Sequence, residues 1–309
     1  MPAARRSIPR LICGLALACL VAFAAATGAQ ARELVLGRVS DDPRQHYEQL
    51  RPLLDYVVPR MRDVGITGGR ILMARDAAQM ASYLRRGRVD WFTETAASAM
   101  LLERKAGARP LLLTERNGVS RYHTVFFART DSGVSGLDDL RGRSIALQSR
   151  ASTSAYFVPV MELIERGLPM EMLPTPTEDG TPDSVGFVLA RSESNIAIWV
   201  HKGLVDAGAM SSLDWERPTT MSPSFRPDLR IIHETGEYPR ALEMVRGDLE
   251  PAVAARLREV LLQAADDPAA REALAHFFGT TRFIALDPRN EAGLGYLRRA
   301  VARVVEEVE

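Results

Sequence analysis

Cysteine is nearly missing from this chain: there are two in 309 residues, Cys13 and Cys19, both within the first 31. The stretch that holds them has a basic start (Arg5, Arg6, Arg10), an apolar run from Leu11 to Ala26, and the small-x-small triplet Ala29-Gln30-Ala31. This pattern is expected to be a cleavable secretory signal over residues 1–31. The apolar run falls short of the ~20 residues that span a bilayer as a helix. Neither cysteine is a lipidation site, because Arg10 and Ala16 stand three residues upstream where a lipobox needs Leu. Removing 31 residues from 309 leaves 278 with no cysteine, which excludes disulfides, thiol nucleophiles, zinc-thiolate sites and Fe–S clusters in the mature chain. Charge of one sign is also lacking. Lys plus Arg and Asp plus Glu each number 39, and loss of the three leader arginines leaves a slight acidic excess. A nucleic-acid or anionic-membrane partner is therefore not expected.

Several catalytic motifs are missing as well. The five histidines, His46, His123, His201, His233 and His276, show neither H-x-x-x-H nor H-E-x-x-H spacing. No G-x-S-x-G elbow, P-loop or G-x-G-x-x-G occurs. No metal site and no cofactor is expected, and an exported hydrolase is the weakest of the functional alternatives.

What is present is alternation. Leu34 to Val39 reads as a buried strand, and Leu50, Leu53, Leu54, Val57, Val58 and Met61 follow at helical spacing. Strands over Ile71–Ala74, Val89–Thr93 and Leu111–Thr114 are separated by helical segments, the last ending near Ala106. A second set opens with Tyr122–Ala128 and continues through Ser144–Leu147, a helix from about Thr153 to Arg166, and the strand Val205–Ala209. Strands alternating with helices through short loops imply βαβ units. Pro218, Pro223 and Pro227 mark a loop or crossover. Two apolar stripes, one on Val253, Leu257, Val260, Leu261 and Ala264 and one on Leu294, Leu297, Val301, Val304 and Val305, make the tail helical.

Taken in order, Tyr122-His123-Thr124-Val125-Phe126-Phe127, Leu137-Asp138-Asp139-Leu140-Arg141-Gly142, Ser152-Thr153-Ser154 with Pro159, Val205-Asp206-Ala207-Gly208-Ala209 and Tyr238-Pro239 resemble one family. It is the periplasmic substrate-binding proteins of phosphate, phosphite and phosphonate ABC importers. The likeness covers nearly all of the mature chain, and the Ser-Thr-Ser turn is its specific part. It implies an α/β, two-lobed periplasmic-binding-protein-like fold, each lobe a mainly parallel sheet flanked by helices, with a ligand cleft between the lobes. The division expected is 32–121 for the first part of lobe I, 122–214 for lobe II, and 215–309 for a return to lobe I. The implied function is capture of a small oxyanion and its delivery to an ABC permease. A membrane sensor kinase is the alternative partner, and a periplasmic monomer is expected.

The Ser-Thr-Ser turn also has a physical reading. A helix beginning near Thr153 leaves its first N–H groups without intrahelical partners and carries positive dipole charge there. The hydroxyls of Ser152, Thr153 and Ser154 either cap that helix or, with its amides, hold a tetrahedral oxyanion. Without a basic surplus, such amides and hydroxyls are expected to be the main anion-binding groups. The opposite wall is expected at Glu94 and Thr95, at the end of the third strand. A carboxylate there selects a protonated or amine-bearing ligand, points away, or pairs with a helix dipole. Tyr122 and His123 are further ligand candidates, Tyr47 a weaker one, and Ser211 and Asp214 weaker still. Trp91 and Trp199 read as core residues and Asp206 as a turn acid.

Overall fold

The computed structural model describes residues 32–178 and 180–308, so the leader reading lies outside the described residues. The chain starts as β1 (Arg32–Val39), α1 (Pro43–Val57), β2 (Ile66–Ala74), α2 (Ala77–Arg85), β3 (Trp91–Thr95), α3 (Ala96–Ala106) and β4 (Arg109–Arg116). A short strand, β5 (Arg121–Tyr122), carries it across to β6 (Thr124–Arg129) and β7 (Ser144–Leu147). Then come α4 (Val158–Glu165), β8 (Met170–Met172), β9 (Val185–Leu189), α5 (Glu193–His201), β10 (Ala207–Ser211), α6 (Ser212–Glu216) and β11 (Leu229–Glu234). The return passes through β12 (Tyr238–Pro239) to β13 (Ala241–Val245), α7 (Pro251–Gln263), α8 (Arg271–His276), β14 (Thr280–Ile284) and α9 (Pro288–Glu307).

The strands form two six-stranded sheets, one in each lobe, ordered β14-β4-β13-β3-β1-β2 and β11-β6-β10-β7-β9-β8. Each has a parallel part, β2-β1-β3 in the first and β10-β7-β9-β8 in the second. The rest is antiparallel: β6 pairs against β10 and β11 in the second sheet, and in the first β14 pairs against β4 while β13 returns from the second lobe and enters between β3 and β4 against their direction. Strands β5 and β12 pair as a two-stranded crossing, Tyr122 opposite Tyr238. The return expected at residue 215 comes later: β11 pairs with β6 in the second sheet, so 229–234 still belong to that lobe. Proline and turn residues marked the preceding loop correctly but carry no signal for which sheet the next strand joins.

Side-chain alternation in β1 divides the first lobe's core. Leu34 and Leu36 face α1, α7 and Phe277, while Val35 faces the α2–α3 side. Helix α1 is capped by Asp42, whose carboxylate accepts from the Gln45 amide at 3.1 Å, and Pro43 suits the first turn. Its stripe of Leu50, Leu53, Leu54 and Val57 is buried. In the second sheet Gly208 is required by packing, since a Cβ there would lie 2.5 Å from Ile196 Cγ2 and 2.8 Å from Phe127 Cζ. Helix α9 buries Leu294, Leu297, Val301 and Val304, each contributing roughly 1.5–3 kcal/mol. It packs on both α3 and α4, and so touches both lobes.

Candidate functional site

The carboxyl ends of strands from both sheets converge on one cavity of about 600 Å³. From the first lobe come Arg38 and Val39 at the end of β1 with Ser40 just after it, Glu94 and Thr95 at the end of β3, and Arg116 at the end of β4. The second lobe supplies Gln148, Ser149 and Ala151 to Ser154 after β7, Glu193 at the start of α5, Ser211 at the end of β10, and Asp214 and Arg217 after it. Tyr122 and Arg240 come from the crossing segments. Strand ends facing a crevice are the usual ligand position of open α/β sheets, because helix N-termini and loop amides collect there.

The Ser-Thr-Ser turn lies in this cleft, but its hydroxyls are largely engaged. Ser152 caps its own helix, accepting from the Ala155 amide at 3.1 Å. Thr153 is buried, and its Oγ1 accepts from the Ala97 amide at 2.9 Å, so it caps α3 from the opposite lobe. Nearby the Ala151 carbonyl accepts from Ser98 Oγ at 2.9 Å and from Thr95 Oγ1 at 3.3 Å. Ser154 contributes its carbonyl, which accepts from Thr124 Oγ1 at 2.9 Å. The helix itself opens with a π-turn, Thr153–Phe157, before the α-helical α4. Phe157 N bonds to Ser152 O at 3.1 Å, five residues back, the kind of irregularity that clusters at functional sites.

Positive charge comes from arginines that sequence reading missed. Arg38, Arg116, Arg217 and Arg240 line the cavity, with Arg75 at its edge. Arg116 is 8 % exposed. Burial first, and then the neighbouring Arg38, pull its guanidinium down to about 9, so it remains charged at neutral pH. Its Nη2 donates to Thr93 Oγ1 at 3.3 Å. Thr93 in turn donates at 2.8 Å to Glu243, a fully buried carboxylate that also accepts from Thr114 and from Trp91 Nε1. Arg38 Nη1 donates to the Thr93 carbonyl at 3.3 Å, and Arg240 Nη1 donates to the Arg116 carbonyl at 2.8 Å. The Nε–H groups of both Arg38 and Arg116 are buried with no hydrogen-bond acceptor. Among the described residues neither arginine has an ion-pair partner. Buried donors of this kind carry a cost unless something accepts from them. Near-zero net charge led to the expectation of a nest built from amides and hydroxyls. The correction follows from distribution: a balanced total coexists with several guanidiniums in one crevice.

The remaining candidates divide cleanly. Glu94 is buried at the wall, and its Oε1 accepts from the Val39 amide at 2.8 Å, fixing the end of β1 beside Arg38. Burial pushes its carboxyl upward, while Arg38, the Val39 amide and Arg116 oppose the shift. Tyr122 is buried, lines the cavity and packs edge-on against Tyr238 with centroids 5.1 Å apart. Its phenol is pushed up by burial, opposed by Ser154. His123 does not line the cavity: its Nε2 meets Glu234 at 3.1 Å on the other side, since successive residues of an extended chain face opposite ways. Tyr47 is also absent from the cleft and 44 % exposed. One residue earlier on α1, about 100° around the helix, His46 lines the cavity, its Nδ1 2.6 Å from Ser40 Oγ. Burial and Arg38 hold His46 below its ordinary value, and therefore neutral at pH 7. Ser211 and Asp214 do line the cavity, with Asp214 held by Arg217 at 2.6 Å. Trp91 is buried core, and Asp206 ties β7 in place by accepting from Ser144 N at 3.0 Å. Among the described residues no group of three His, Cys, Asp or Glu side chains is placed to hold a metal ion.

The family profile described as "ABC transporter, phosphonate, periplasmic substrate-binding protein" matches residues 38–290. The chain belongs to this family. Its members are the substrate-binding components of importers, and the two-lobed fold with a cleft follows the family pattern. Among solved structures, XAC2383 from Xanthomonas citri bound to chloride ion is 53% identical, covering 89% of this chain and 99% of its own, with TM-score 0.85. XAC2383 bound to ATP is 52% identical, covering 90% and 99%, with TM-score 0.84. PhnD1 from Prochlorococcus marinus in complex with methylphosphonate is 16% identical, covering 90% and 100%, with TM-score 0.63, a likeness of fold alone. This binding protein thus shares its architecture with distant phosphonate receptors and half its residues with XAC2383.

Proposed function

We propose that this binding protein works in the periplasm, closes its lobes on a phosphate, phosphite or phosphonate-type anion, and hands it to an ABC permease. The observation that carries the reading is the Arg38–Arg116 pair. Two guanidiniums share a crevice, each with a buried Nε–H that has no acceptor, and an anionic ligand would satisfy both charge and donors. Tyr122, the Arg240 and Arg217 guanidiniums and the hydroxyl-rich turn at Ser152–Ser154 supply the remaining polar wall. Such a receptor needs no covalent chemistry, only a desolvated site and hinge closure.

A second reading is a larger phosphate ester. A cavity of about 600 Å³ lies within the range of sites for drug-sized ligands, and the XAC2383 structures are bound to a small anion in one case and to ATP in the other. Calorimetric titration with inorganic phosphate, phosphite, methylphosphonate and ATP tests both. Binding of one of the first three supports the small-anion reading, and binding of ATP alone supports the ester. Heat from none of them would overturn the function proposed.

A further inference from the structure

We propose that Phe278, which does not line the cavity, is a positioning residue for the two anion-binding arginines, acting beside the hydrogen bonds that both make to Thr93. The inference rests on the anion-receptor reading above. The Phe278 ring centroid is 4.4 Å from the Arg38 Cζ and 4.5 Å from the Arg116 Cζ, so one aromatic ring serves both guanidiniums. Two like charges in one crevice repel, and no carboxylate forms an ion pair with either arginine among the described residues. The ring's electron-rich face attracts cations without neutralising them. It therefore holds both side chains in place while leaving their charge for a ligand, which an ion-paired carboxylate would not.

The backbone at this position supports the assignment. Phe278 has φ of +56°, the left-handed region that bulky side chains avoid. Strained conformations of this kind persist where surrounding structure over-determines them, and they cluster at ligand sites. Here the neighbours explain the constraint. Phe277 is fully buried against Trp91 and Phe283, with ring centroids 6.4 and 6.1 Å away, and β14 begins at Thr280. Anchored on the core side, the chain makes a tight turn that leaves the next side chain half-buried against the arginines and His46, whose ring lies 5.8 Å from Phe278.

The test compares Phe278→Leu, which keeps an apolar side chain but has no ring, with Phe278→Trp, which keeps an aromatic face. Inorganic phosphate, phosphite, methylphosphonate and ATP are titrated calorimetrically into each variant, and melting curves report folding. Phe278→Leu is expected to weaken the probe that the wild type binds by roughly tenfold, the loss of two partly desolvated cation–π contacts. Phe278→Trp is expected to stay within about threefold, since Trp is the best such partner. Should the Leu variant fail to fold, Phe278→Met makes the same comparison. Wild-type affinity in the ringless variant, or equal losses in the ringless and Trp variants, would overturn the assignment while leaving the receptor reading intact. Failure of the wild type to bind any of the four probes would remove the receptor reading and the role of Phe278 with it.

Discussion

Replacing Arg116 with Met separates its cost to the fold from its use to a ligand, because the two effects have opposite signs. Arg116 is 8 % exposed, meets Thr93 at 3.3 Å and has a buried Nε–H with no acceptor. Burying a guanidinium without an ion-pair partner costs desolvation free energy, and an apolar side chain of similar length does not carry that cost. Arg116→Met should therefore melt at the wild-type temperature or above it. A charged hydrogen bond to an anionic ligand is worth roughly 1.5–3 kcal/mol, so the same variant should bind phosphate-type anions about ten- to a hundredfold more weakly. Differential scanning calorimetry and titration calorimetry on one preparation give both numbers. Unchanged affinity with a lowered melting temperature would refute the reasoning and make Arg116 a structural residue that supports Thr93.

Other consequences follow from the cleft walls. Thr153→Ala removes the acceptor for the Ala97 amide that joins the two lobes; at about 0.5–1.5 kcal/mol for one hydrogen bond, affinity should fall roughly two- to tenfold while the melting temperature of the ligand-free protein barely moves. A large stability loss with unchanged affinity would contradict that closure role. Glu94 is held above its unfolded value of 4.5 by burial, so its protonation-linked stability is full below that value and lost as pH rises through the folded one. Glu94→Gln should therefore melt higher than wild type at about pH 8, with the gap closing near about pH 4, and should bind anions more tightly because a negative charge leaves the wall. A gap that widens on acidification would refute this sign. His46 is lowered by burial and Arg38, so the unfolded chain takes up protons first and stability falls as pH drops through about 6.5; His46→Gln should flatten that slope in melting curves, and an unchanged slope would assign it elsewhere.

Local signals in the sequence were legible where one element carries the whole pattern. The stripe Leu50, Leu53, Leu54 and Val57 and the tail helix with Leu294, Leu297, Val301 and Val304 express periodicity within a single segment, and the Ser152 cap is a local turn signal. The arginines were not legible that way, because a charged residue at a strand end looks the same whether it meets solvent or a cleft. Arg38 and Arg116 sit at the carboxyl ends of β1 and β4, and the rule that singled out Glu94 and Thr95 at the end of β3 would have found them if applied to every strand. His46 and His123 show the limit from another side: a step of one residue reverses a strand face and turns a helix by about 100°, so a tyrosine-histidine neighbour pair does not say which member faces the ligand. The place of β11 in the second sheet, and the entry of β13 between β3 and β4, depend on long-range pairing that no local pattern records.

The central claim, that the lobes close on a phosphorus-containing anion held by Arg38 and Arg116, is tested most directly by native mass spectrometry of protein purified from the periplasm of an expressing cell. The account predicts a mass increment that disappears on denaturation and a released anion containing phosphorus, with the increment lost in an Arg38→Met, Arg116→Met double variant. A co-purified neutral sugar or peptide, or the same increment in the double variant, would contradict it.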